Sequence, residues 1–325
     1  MDRIFSGIQP SGSLHIGNYF GAIKQWIKLQ EKYQCIYGIV DYHAMTVVYD
    51  QKELPDRVMD AAIAYLSAGV DPEKSALMVQ SQVPEHTELT WILNTVTPLG
   101  WCERVPTFKD KVRQNRDNVN LGLLDYPVLM TADIIIYKSV AVPVGQDQLP
   151  HLELTREIVR KFNSTFGDTF PEPKPIISDG ALIIGLDGKQ KMSKSLDNCI
   201  YLSDSPEKIK KKLSTAVTDT RRQRKTDPGV PQECNIYSLH KLLSTPQQQQ
   251  YCHQGCTQAS MGCFECKKIL AENLINELAP LQEKQQFWLS HQDQVREILH
   301  QGGMAARAIA QQTIQEVREK VGLWK

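Results

Sequence analysis

The first half of the chain alternates short apolar runs with longer amphipathic segments. The runs at residues 4–8, 35–40, 76–79 and 140–144 predict buried strands, because a strand covered on both faces is apolar along its whole length. Apolar positions at helical spacing predict helices from residue 17 onward and over 54–69 and 148–162. Strands separated by helices predict an α/β fold with a doubly wound parallel sheet, and ligands bind at the carboxyl ends of such strands.

The pattern changes after residue 171. Pro171, Pro173 and Pro175 predict an extended linker, and a polar loop with two glycines follows at 185–188. Helical spacing then returns at 206–213, 235–243, 263–278 and 292–323, with no strand alternation. We therefore expect a Rossmann-like domain over residues 1–190, a loop at 191–195, an all-helical domain over 196–285, and C-terminal helices over 286–325 that return toward the first domain.

Composition and charge exclude some classes of protein. The 325 residues carry 37 Lys and Arg against 37 Asp and Glu, which excludes a globally basic nucleic-acid coat but allows a local basic patch. No apolar run approaches the ~20 residues of a membrane span, and residues 1–7 do not resemble a signal peptide. We therefore expect a cytoplasmic protein without membrane contact. Disulfides rarely persist there, so the eight cysteines need another explanation.

Two segments have the composition of phosphate-binding elements. Residues 9–18 join the first strand to the first helix, where free N–H groups favour a phosphate, Gly17 allows close approach and His15 can donate a hydrogen bond. The run Lys191-Met192-Ser193-Lys194-Ser195 places two lysines and two hydroxyls near a glycine-containing loop, which suits a triphosphate. The simpler interpretations are packing for the first segment and a solvated polar loop for the second.

Together, these two segments resemble the paired signature motifs of class I aminoacyl-tRNA synthetases. The segments at 5–12, 125–134 and 142–156 extend the resemblance, essentially end to end, to the bacterial tryptophanyl-tRNA synthetases. The chain departs from the family at two positions. Asn18 replaces the second His of the general motif, as is common in this branch, and Gln146 stands where the family usually has Glu.

The resemblance implies a two-step reaction: tryptophan is activated by ATP to an adenylate and then transferred to tRNA(Trp). It assigns catalysis to His15, Lys191 and Lys194, and Mg²⁺ would arrive with ATP and keep mostly water and phosphate ligands. Lys111 is a further candidate for phosphate contact, although a surface lysine in a charged loop is the simpler interpretation. The implied ATP-binding residues are Gln9, Pro10, Ser11, Gly17, Asn18, Gly145, Gln146, Asp147, Ile183, Lys191, Met192, Ser193, Lys194 and Ser195.

Recognition of tryptophan requires an acceptor, because indole offers one N–H donor and no acceptor. Asp133 matches the indole-binding position of the family; the alternative is a helix-interior aspartate paired with an arginine or a backbone group. The remaining residues that the resemblance assigns to the tryptophan site are Phe5, Gly7, Val40, His43, Tyr126, Met130, Val144 and Gln148.

Five of the eight cysteines fall within 33 residues of the helical region. Cys256, Cys263 and Cys266, with Cys234 upstream, have the density of a metal site, and four thiolates suit either a 4Fe–4S cluster or tetrahedral zinc. The arrangement resembles a subset of bacterial tryptophanyl-tRNA synthetases with a 4Fe–4S cluster in the tRNA-binding domain, except that the first gap is one residue shorter. A deletion in a loop near residues 245–247 would explain the difference. Cys252 could compete but falls on a non-ligand position.

Basic residues at 208–212 and 221–225 precede these cysteines. Such runs are usually solvated, but in a neutral protein their concentration here favours contact with tRNA phosphates, so we expect 196–285 to bind the anticodon region. The resemblance also implies a homodimer formed through the catalytic domains. Two alternatives remain at this point: a tyrosyl-tRNA synthetase and a catalytically silent tRNA-binding paralogue.

Overall fold

The computed structural model describes residues 1–10, 12–114, 118–177, 183–194 and 196–324, without the side chains of residues 107 and 114. The chain divides into two compact units. The first comprises Met1–Gly12, Ala22–Asp179 and Trp288–Lys325, and the second comprises Ser13–Gly21 and Gly180–Phe287. This division differs from the predicted boundary at 190. The segment from Ser13 and the polar loop at 185–188 both belong to the second unit.

Backbone pairing explains why the segment from Ser13 belongs to the second unit. The N–H of Ile16 donates to the Ile200 carbonyl, and the N–H of Leu202 donates to the Leu14 carbonyl, each at 2.9 Å. His15 and Tyr201 form the antiparallel bridge between these two hydrogen bonds. These long-range contacts are invisible in a local hydrophobic pattern.

The sheet of the first unit has five parallel strands in the order β3-β2-β1-β4-β5. The strands are β1 (Arg3–Ile8), β2 (Gln34–Ile39), β3 (Ser75–Val79), β4 (Ala141–Val144) and β5 (Lys174–Ile177). Register places Phe5 opposite Ile36 and Ile36 opposite Ala76. The predicted Rossmann-like, doubly wound fold class is therefore confirmed. The order reverses beside β1, and such a reversal is where doubly wound sheets bind ligands.

The fifth strand corrects the predicted linker at 171–175. β5 pairs with β4 in register from Ala141 opposite Lys174 to Val144 opposite Ile177. It lies at the sheet edge and is mostly exposed, so it lacks the apolar signal of the interior strands. Pro175 is tolerated because an edge strand does not need every backbone donor.

Helices follow the strands in the expected alternation. In chain order they are α1 (Ile16–Asn18), α2 (Lys24–Leu29), α3 (Asp41–Ala44), α4 (Leu54–Ala68), α5 (Glu85–Asn94), α6 (Leu99–Arg104), α7 (Pro106–Gln114), α8 (Leu121–Ile135), α9 (Leu149–Phe166), α10 (Pro206–Thr215), α11 (Asn235–Leu243), α12 (Pro246–Thr257), α13 (Cys263–Ser290) and α14 (Gln292–Val321). A π-helical turn, Tyr19–Ile23, lies between α1 and α2, and short 3₁₀ turns span Gln80–Gln82, Gln146–Gln148 and Pro231–Glu233.

The C-terminal helix α14 packs directly on β3 in the first unit. A Cβ at Gly302 would collide with the carbonyl group of Leu77, so only glycine allows this approach of helix backbone to strand backbone. Arg307 extends the contact through an ion pair with Glu85 at 2.9 Å. Residues 288–325 are thus part of the sheet-containing unit.

The second unit is helical, with α10 to α12 and most of α13. α12 was not predicted, and its start lies where we expected a loop near residues 245–247. Thr245 caps this helix, accepting from the Gln248 N–H, while Gln248 accepts from the Thr245 N–H. This capping box was a readable sequence signal. In the described part of the chain, every helix is too short or too polar to cross a membrane.

Candidate active site

A cavity of about 470 Å³ opens in the first unit at the carboxyl ends of β1, β2 and β4. We call it the strand-end cavity. It brings together all nine residues that the sequence assigned to tryptophan: Phe5, Gly7, Val40, His43, Tyr126, Met130, Asp133, Val144 and Gln148. Parallel strands explain the convergence, since their carboxyl ends meet at one edge although the residues are far apart in sequence.

Asp133 is the buried charge of this cavity. It lies inside α8, is 1% exposed, and accepts three side-chain hydrogen bonds. Oδ1 accepts from His86 Nδ1 at 2.6 Å and from Gln80 Nε2 at 2.7 Å, and Oδ2 accepts from His43 Nε2 at 2.8 Å. Burial opposes ionisation of this carboxyl, but the charge interaction with His86 and the hydrogen bonds from both histidines outweigh it. They hold its pKa well below the usual range. Asp133 is therefore a carboxylate.

The sequence did not identify the groups behind this carboxylate. Gln80 and His86 are fully buried, and His86 Nε2 lies 2.6 Å from the hydroxyl of Tyr137, which is also fully buried. The aspartate is thus paired inside the protein, but with histidine and glutamine side chains rather than with an arginine or a backbone group, and it also lines the cavity. Its partners come from other elements rather than from its own helix. Gln80 and His86 lie in separate segments that gave no local signal of a shared site.

Lys111 also lines the strand-end cavity instead of an open surface loop. It lies on α7 with its Nζ 3.7 Å from the centroid of the Tyr126 ring, and burial lowers its pKa. Tyr126 Oη lies 3.3 Å from His151 Nε2. Burial, and then the positive charges of Lys111 and His43, lower the pKa of His151 to about 4. His151 is therefore neutral at physiological pH.

The predicted nucleotide residues of the first unit lie at the rim of the same sheet edge. Gln9 and Gly145 line the strand-end cavity, and Gln9 Nε2 donates to the carbonyl of His43 at 3.3 Å. Pro10, which directly follows Gln9, is buried, whereas Gln146 and Asp147 are exposed in the 3₁₀ turn after β4. Ser11 and Ser195 lie outside the described residues. Gln146 and Asp147 thus lie on the surface beside the carboxyl end of β4.

His15 is the buried imidazole of the second unit. Burial, and then the charges of Lys194 and Lys191, lower its pKa to about 4, so it is neutral at physiological pH. Its Nδ1 is buried without a hydrogen-bond partner among the described residues. A Cβ at Gly17 would lie 2.8 Å from Nδ1 and Cε1 of this ring. The glycine thus makes room for the imidazole.

The backbone at the start of α1 differs from the predicted phosphate-binding helix end. The Ile16 N–H is already bonded to the Ile200 carbonyl, and Asn18 Oδ1 accepts from the His15 N–H at 3.1 Å. α1 has three residues before the π-helical turn begins. Backbone hydrogen bonds therefore already occupy donors that a free helix end would leave open.

The residues of the Lys191–Ser195 motif that the structure describes belong to a short hairpin. Ile184 bridges to Lys191, the Met192 N–H donates to the Ile183 carbonyl at 2.9 Å, and Met192 is buried. Asn198 anchors the hairpin: its Oδ1 accepts from the Ser193 N–H at 2.7 Å, and its Nδ2 donates to Asp187 at 2.8 Å. The predicted Ile183, Lys191, Met192, Ser193 and Lys194 thus share one ordered element.

A second, small cavity of about 20 Å³ lies in the second unit, and we call it the cysteine cavity. It is lined by the four predicted ligands Cys234, Cys256, Cys263 and Cys266 and also by Cys252. Arg222 Nη1 lies 3.7 Å from Cys256 Sγ and 4.0 Å from Cys263 Sγ. The helices bring all five thiols to one cavity, and the guanidinium lies near two of them. Its charge acts to lower the pKa of Cys256, but burial outweighs it and raises that pKa overall.

The distances between possible ligand atoms do not single out the four predicted cysteines. Among the described residues, the grouping with ligand atoms within 4.8 Å of one another is His240, Cys252 and Cys266. His240 Nε2 lies 3.3 Å from Cys266 Sγ and 3.9 Å from Cys252 Sγ. His240 is a candidate ligand that the sequence analysis missed, because a single histidine on an amphipathic helix carries no signal.

Basic residues near this cavity are divided between ion pairs and open surface. Lys208 and Lys212 pair with Asp204, and Arg221 pairs with Asp219 and Glu233. Four others lie exposed on the surface: Lys210, Lys211, Arg224 and Lys225. The basic run therefore contributes partly to structure and partly to a charged surface.

Comparison with known proteins agrees with this geometry. The family model "tRNA synthetases class I (W and Y)" matches residues 2–279. The chain is 48% identical over 330 residues to the tryptophan–tRNA ligase of Deinococcus radiodurans, with 100% of both chains covered. It is 41% identical over 326 residues to that of Thermotoga maritima, with 99% of each covered.

A solved structure gives the same result in three dimensions. The tryptophanyl-tRNA synthetase of Campylobacter jejuni, complexed with ADP and tryptophan, superposes with a TM-score of 0.89 at 40% identity. The match covers 99% of this chain and 100% of that one. The chain therefore belongs to the class I tRNA synthetases of tryptophan and tyrosine, within their bacterial tryptophan branch.

Proposed function

We propose that the protein activates L-tryptophan with ATP and transfers it to tRNA(Trp). The observation that carries this proposal is the strand-end cavity, which combines apolar walls with one ionised, buried carboxylate. Two relatives of similar full length, at 48% and 41% identity, are tryptophan–tRNA ligases, which supports the same activity. Tyrosine activation is the alternative against which the experiment below is designed.

Asp133 would read the indole N–H. Both acceptor sites of Oδ1 are occupied by His86 and Gln80, whereas Oδ2 accepts only from His43 among the described residues. A carboxylate oxygen has about two acceptor sites, so Oδ2 retains one. Sites that pair with a polar group of the substrate discriminate strongly against analogues that lack it. Phe5, Val40 and Val144 supply apolar walls, and Tyr126 with Gln148 would hold the substrate amine.

Activation needs no general base, because the tryptophan carboxylate is ionised at neutral pH. One carboxylate oxygen attacks the α-phosphorus of ATP, a new P–O bond forms, and pyrophosphate leaves with the bonding pair. Neutral His15 would donate a hydrogen bond to a phosphoryl oxygen, and Lys191 and Lys194 would stabilise the charge that grows on pyrophosphate. Mg²⁺ arrives with ATP and neutralises part of the phosphate charge.

Transfer then moves the tryptophanyl group from the adenylate to a hydroxyl of the terminal ribose of tRNA, releasing AMP. The helical part of the second unit, residues 196–285, would contact the tRNA anticodon region. Exposed Lys210, Lys211, Arg224 and Lys225 supply positive charge for its phosphates. Binding should therefore weaken as salt rises.

Pyrophosphate exchange tests the activation step. Anaerobically purified protein should incorporate labelled pyrophosphate into ATP with tryptophan and not with tyrosine. Exchange with tyrosine alone would contradict Asp133 as the acceptor of the indole N–H, although amino acid activation by ATP would remain. Absence of exchange with either amino acid, from folded protein, would leave a silent tRNA-binding paralogue.

We propose further that Cys234, Cys256, Cys263 and Cys266 hold a 4Fe–4S cluster, with tetrahedral zinc as the alternative. The thiol donor set suits either group. The cysteine cavity has room for one water-sized occupant, so a cluster would require the thiols to move apart. A zinc ion fits that volume, but the four thiols would have to draw closer together to coordinate it. All eight cysteines are free of disulfide bonds. Iron, sulfide and zinc analysis of anaerobically purified protein separates the two groups.

A homodimer is the remaining proposal from the sequence. The first unit exposes apolar side chains on neighbouring elements, with Trp91 at 73% exposure and Leu121 at 81%, beside Met45 and Leu99. Large exposed apolar patches usually mark interfaces. Light scattering should give twice the chain mass for the native protein and a monomer for Trp91→Glu. A dimeric Trp91→Glu variant would place the interface elsewhere.

A further inference from the structure

We infer that His86, held by Tyr137, is a positioning residue that fixes the Asp133 carboxylate for recognition of the indole N–H. This inference rests on the proposed tryptophan activation and concerns the side of the carboxylate that faces away from the substrate. It rests on the different hydrogen-bond donors of the two carboxylate oxygens.

The first observation is which groups face the cavity. Asp133 and His43 line the strand-end cavity, whereas Gln80, His86 and Tyr137, all fully buried, are not among its described lining residues. Oδ1 therefore bonds to the protein interior, and Oδ2 is the oxygen shared with the cavity side. With both Oδ1 sites filled, an indole N–H finds its acceptor on Oδ2.

The second observation concerns the proton on His86. Nδ1 lies 2.6 Å from a carboxylate oxygen, so it carries the hydrogen and donates. Nε2 lies 2.6 Å from the Tyr137 hydroxyl, and burial raises the pKa of this phenol well above its usual value, so it remains protonated. The hydroxyl donates to Nε2 when the ring is neutral and accepts from it when the ring is charged, and in both states Nδ1 keeps the proton that it donates to Asp133.

The third observation is how firmly the ring is held. Tyr137 stacks on Phe5 with centroids 5.6 Å apart, and its ring lies edge-on to His86 at 5.4 Å. Phe5 is itself a wall of the strand-end cavity. One packed set of rings thus joins the apolar wall to the donor that orients the carboxylate. Without this donor, Oδ1 would keep its hydrogen bond from Gln80 but would have an acceptor site open to another partner.

The preference for a substrate with an indole N–H over one without it separates a positioning role of His86 from an effect on folding stability. We would compare tryptophan with β-(3-benzothienyl)alanine, in which sulfur replaces the indole N–H, by kcat/KM in pyrophosphate exchange. His86→Leu should lower the preference for tryptophan roughly 10- to 100-fold, since one hydrogen bond to a buried charge is lost. The KM for ATP should not change. A merely structural role would lower both amino acid rates equally.

Two conservative variants complete the experiment. His86→Asn places an amide nitrogen at the δ position, so it should donate to Asp133 and retain most of the preference. Tyr137→Phe should lower the preference less than His86→Leu does, and it keeps the proposal testable if His86→Leu does not fold. Tyr65→Phe is its matched control: this hydroxyl is fully buried and has no hydrogen-bond partner among the described residues. This control should leave the preference unchanged.

Two results would overturn the positioning role. One is an unchanged preference in folded His86→Leu or in Tyr137→Phe, and the other is an equal loss in His86→Asn and His86→Leu. Exchange by the native protein with tryptophan is measured alongside. If that exchange is present, these results overturn only the role of His86, and if it is absent, the proposed function itself fails.

Discussion

The strand-end cavity and the cysteine cavity are both built from residues far apart in sequence, yet they differ in how their polar groups are held. Asp133 has three donors, each assigned to a particular oxygen. In the cysteine cavity, five chemically equivalent thiols share one wall with Arg222 and His240 nearby. The first site has its geometry before a ligand arrives, whereas the second has several possible pairings.

Cys252 and Cys266 illustrate the several possible pairings of the thiols. A hydrogen bond from Cys266 favours the thiolate of Cys252 and lowers its pKa, although Cys252 was predicted not to be a ligand. Rigid elements that meet at a sheet edge fix Asp133. Thiols on adjoining helix ends can exchange partners, so the bound group itself decides the final set.

Removal of one thiol should have the largest effect and tests whether the cysteine cavity has a defined ligand set. Cys263→Ser should lose bound metal almost completely, because metal binding needs its full ligand set and contributes folding free energy. Each kcal/mol lost should lower the midpoint of thermal unfolding by about 2–4 °C. Cys252→Ser is the matched control and should keep its metal. The opposite result would assign the site to His240, Cys252 and Cys266.

Asp133→Asn tests the preorganised site. The amide adds a donor where His43, His86 and the indole all donate, so kcat/KM for tryptophan should fall about 100-fold or more. Steady-state pyrophosphate exchange measures this. Asp125→Asn, on the same helix and partly buried, is the control and should retain activity. Activity of Asp133→Asn within a few-fold of native would exclude Asp133 as the indole acceptor.

Acid should destabilise the first unit through His151. Its pKa is about 4 in the folded protein against about 6.5 when unfolded, so the unfolded state binds more protons between these values. The contribution of His151 to the free energy of unfolding is therefore fully present above about pH 6.5 and is lost as the pH falls to 4. The loss is about 2 kcal/mol after allowance for partial solvent screening. Urea unfolding at pH 7 and pH 4.5 measures the difference. His151→Asn should reduce it, and an unchanged difference would contradict a buried neutral imidazole.

The smallest expected effect is that of Gly17→Ala in the second unit. The added Cβ would lie 2.8 Å from the His15 ring and displace it. Exchange should fall roughly 10-fold, about the contribution of one hydrogen bond to a charged group, while equilibrium binding of tryptophan stays unchanged. Gly21→Ala, where nothing lies within 4 Å of the new Cβ, is the control. A loss of tryptophan binding in Gly17→Ala would contradict this assignment.

Much of the fold could be predicted because its signals are local. Continuous apolar runs identified β1 to β4, and helical spacing identified α4, α9 and α14. β5 was missed because an exposed edge strand with Pro175 has no apolar signal, and α12 was missed although Thr245 and Gln248 form a capping box. The resemblance of short motifs then brought nine separated residues to one cavity.

The sequence by itself determined the strand and helix order, the residue types at the strand ends, and the density of thiols between Cys234 and Cys266. Only the tertiary structure decided which groups pair. The donors to Asp133 come from three elements whose local sequences carry no common pattern, and His240 joins Cys252 and Cys266 through the packing of neighbouring helices. Periodicity reports burial, because burial repeats along an element. Hydrogen-bond partners depend on contacts between elements, which only the folded chain brings together.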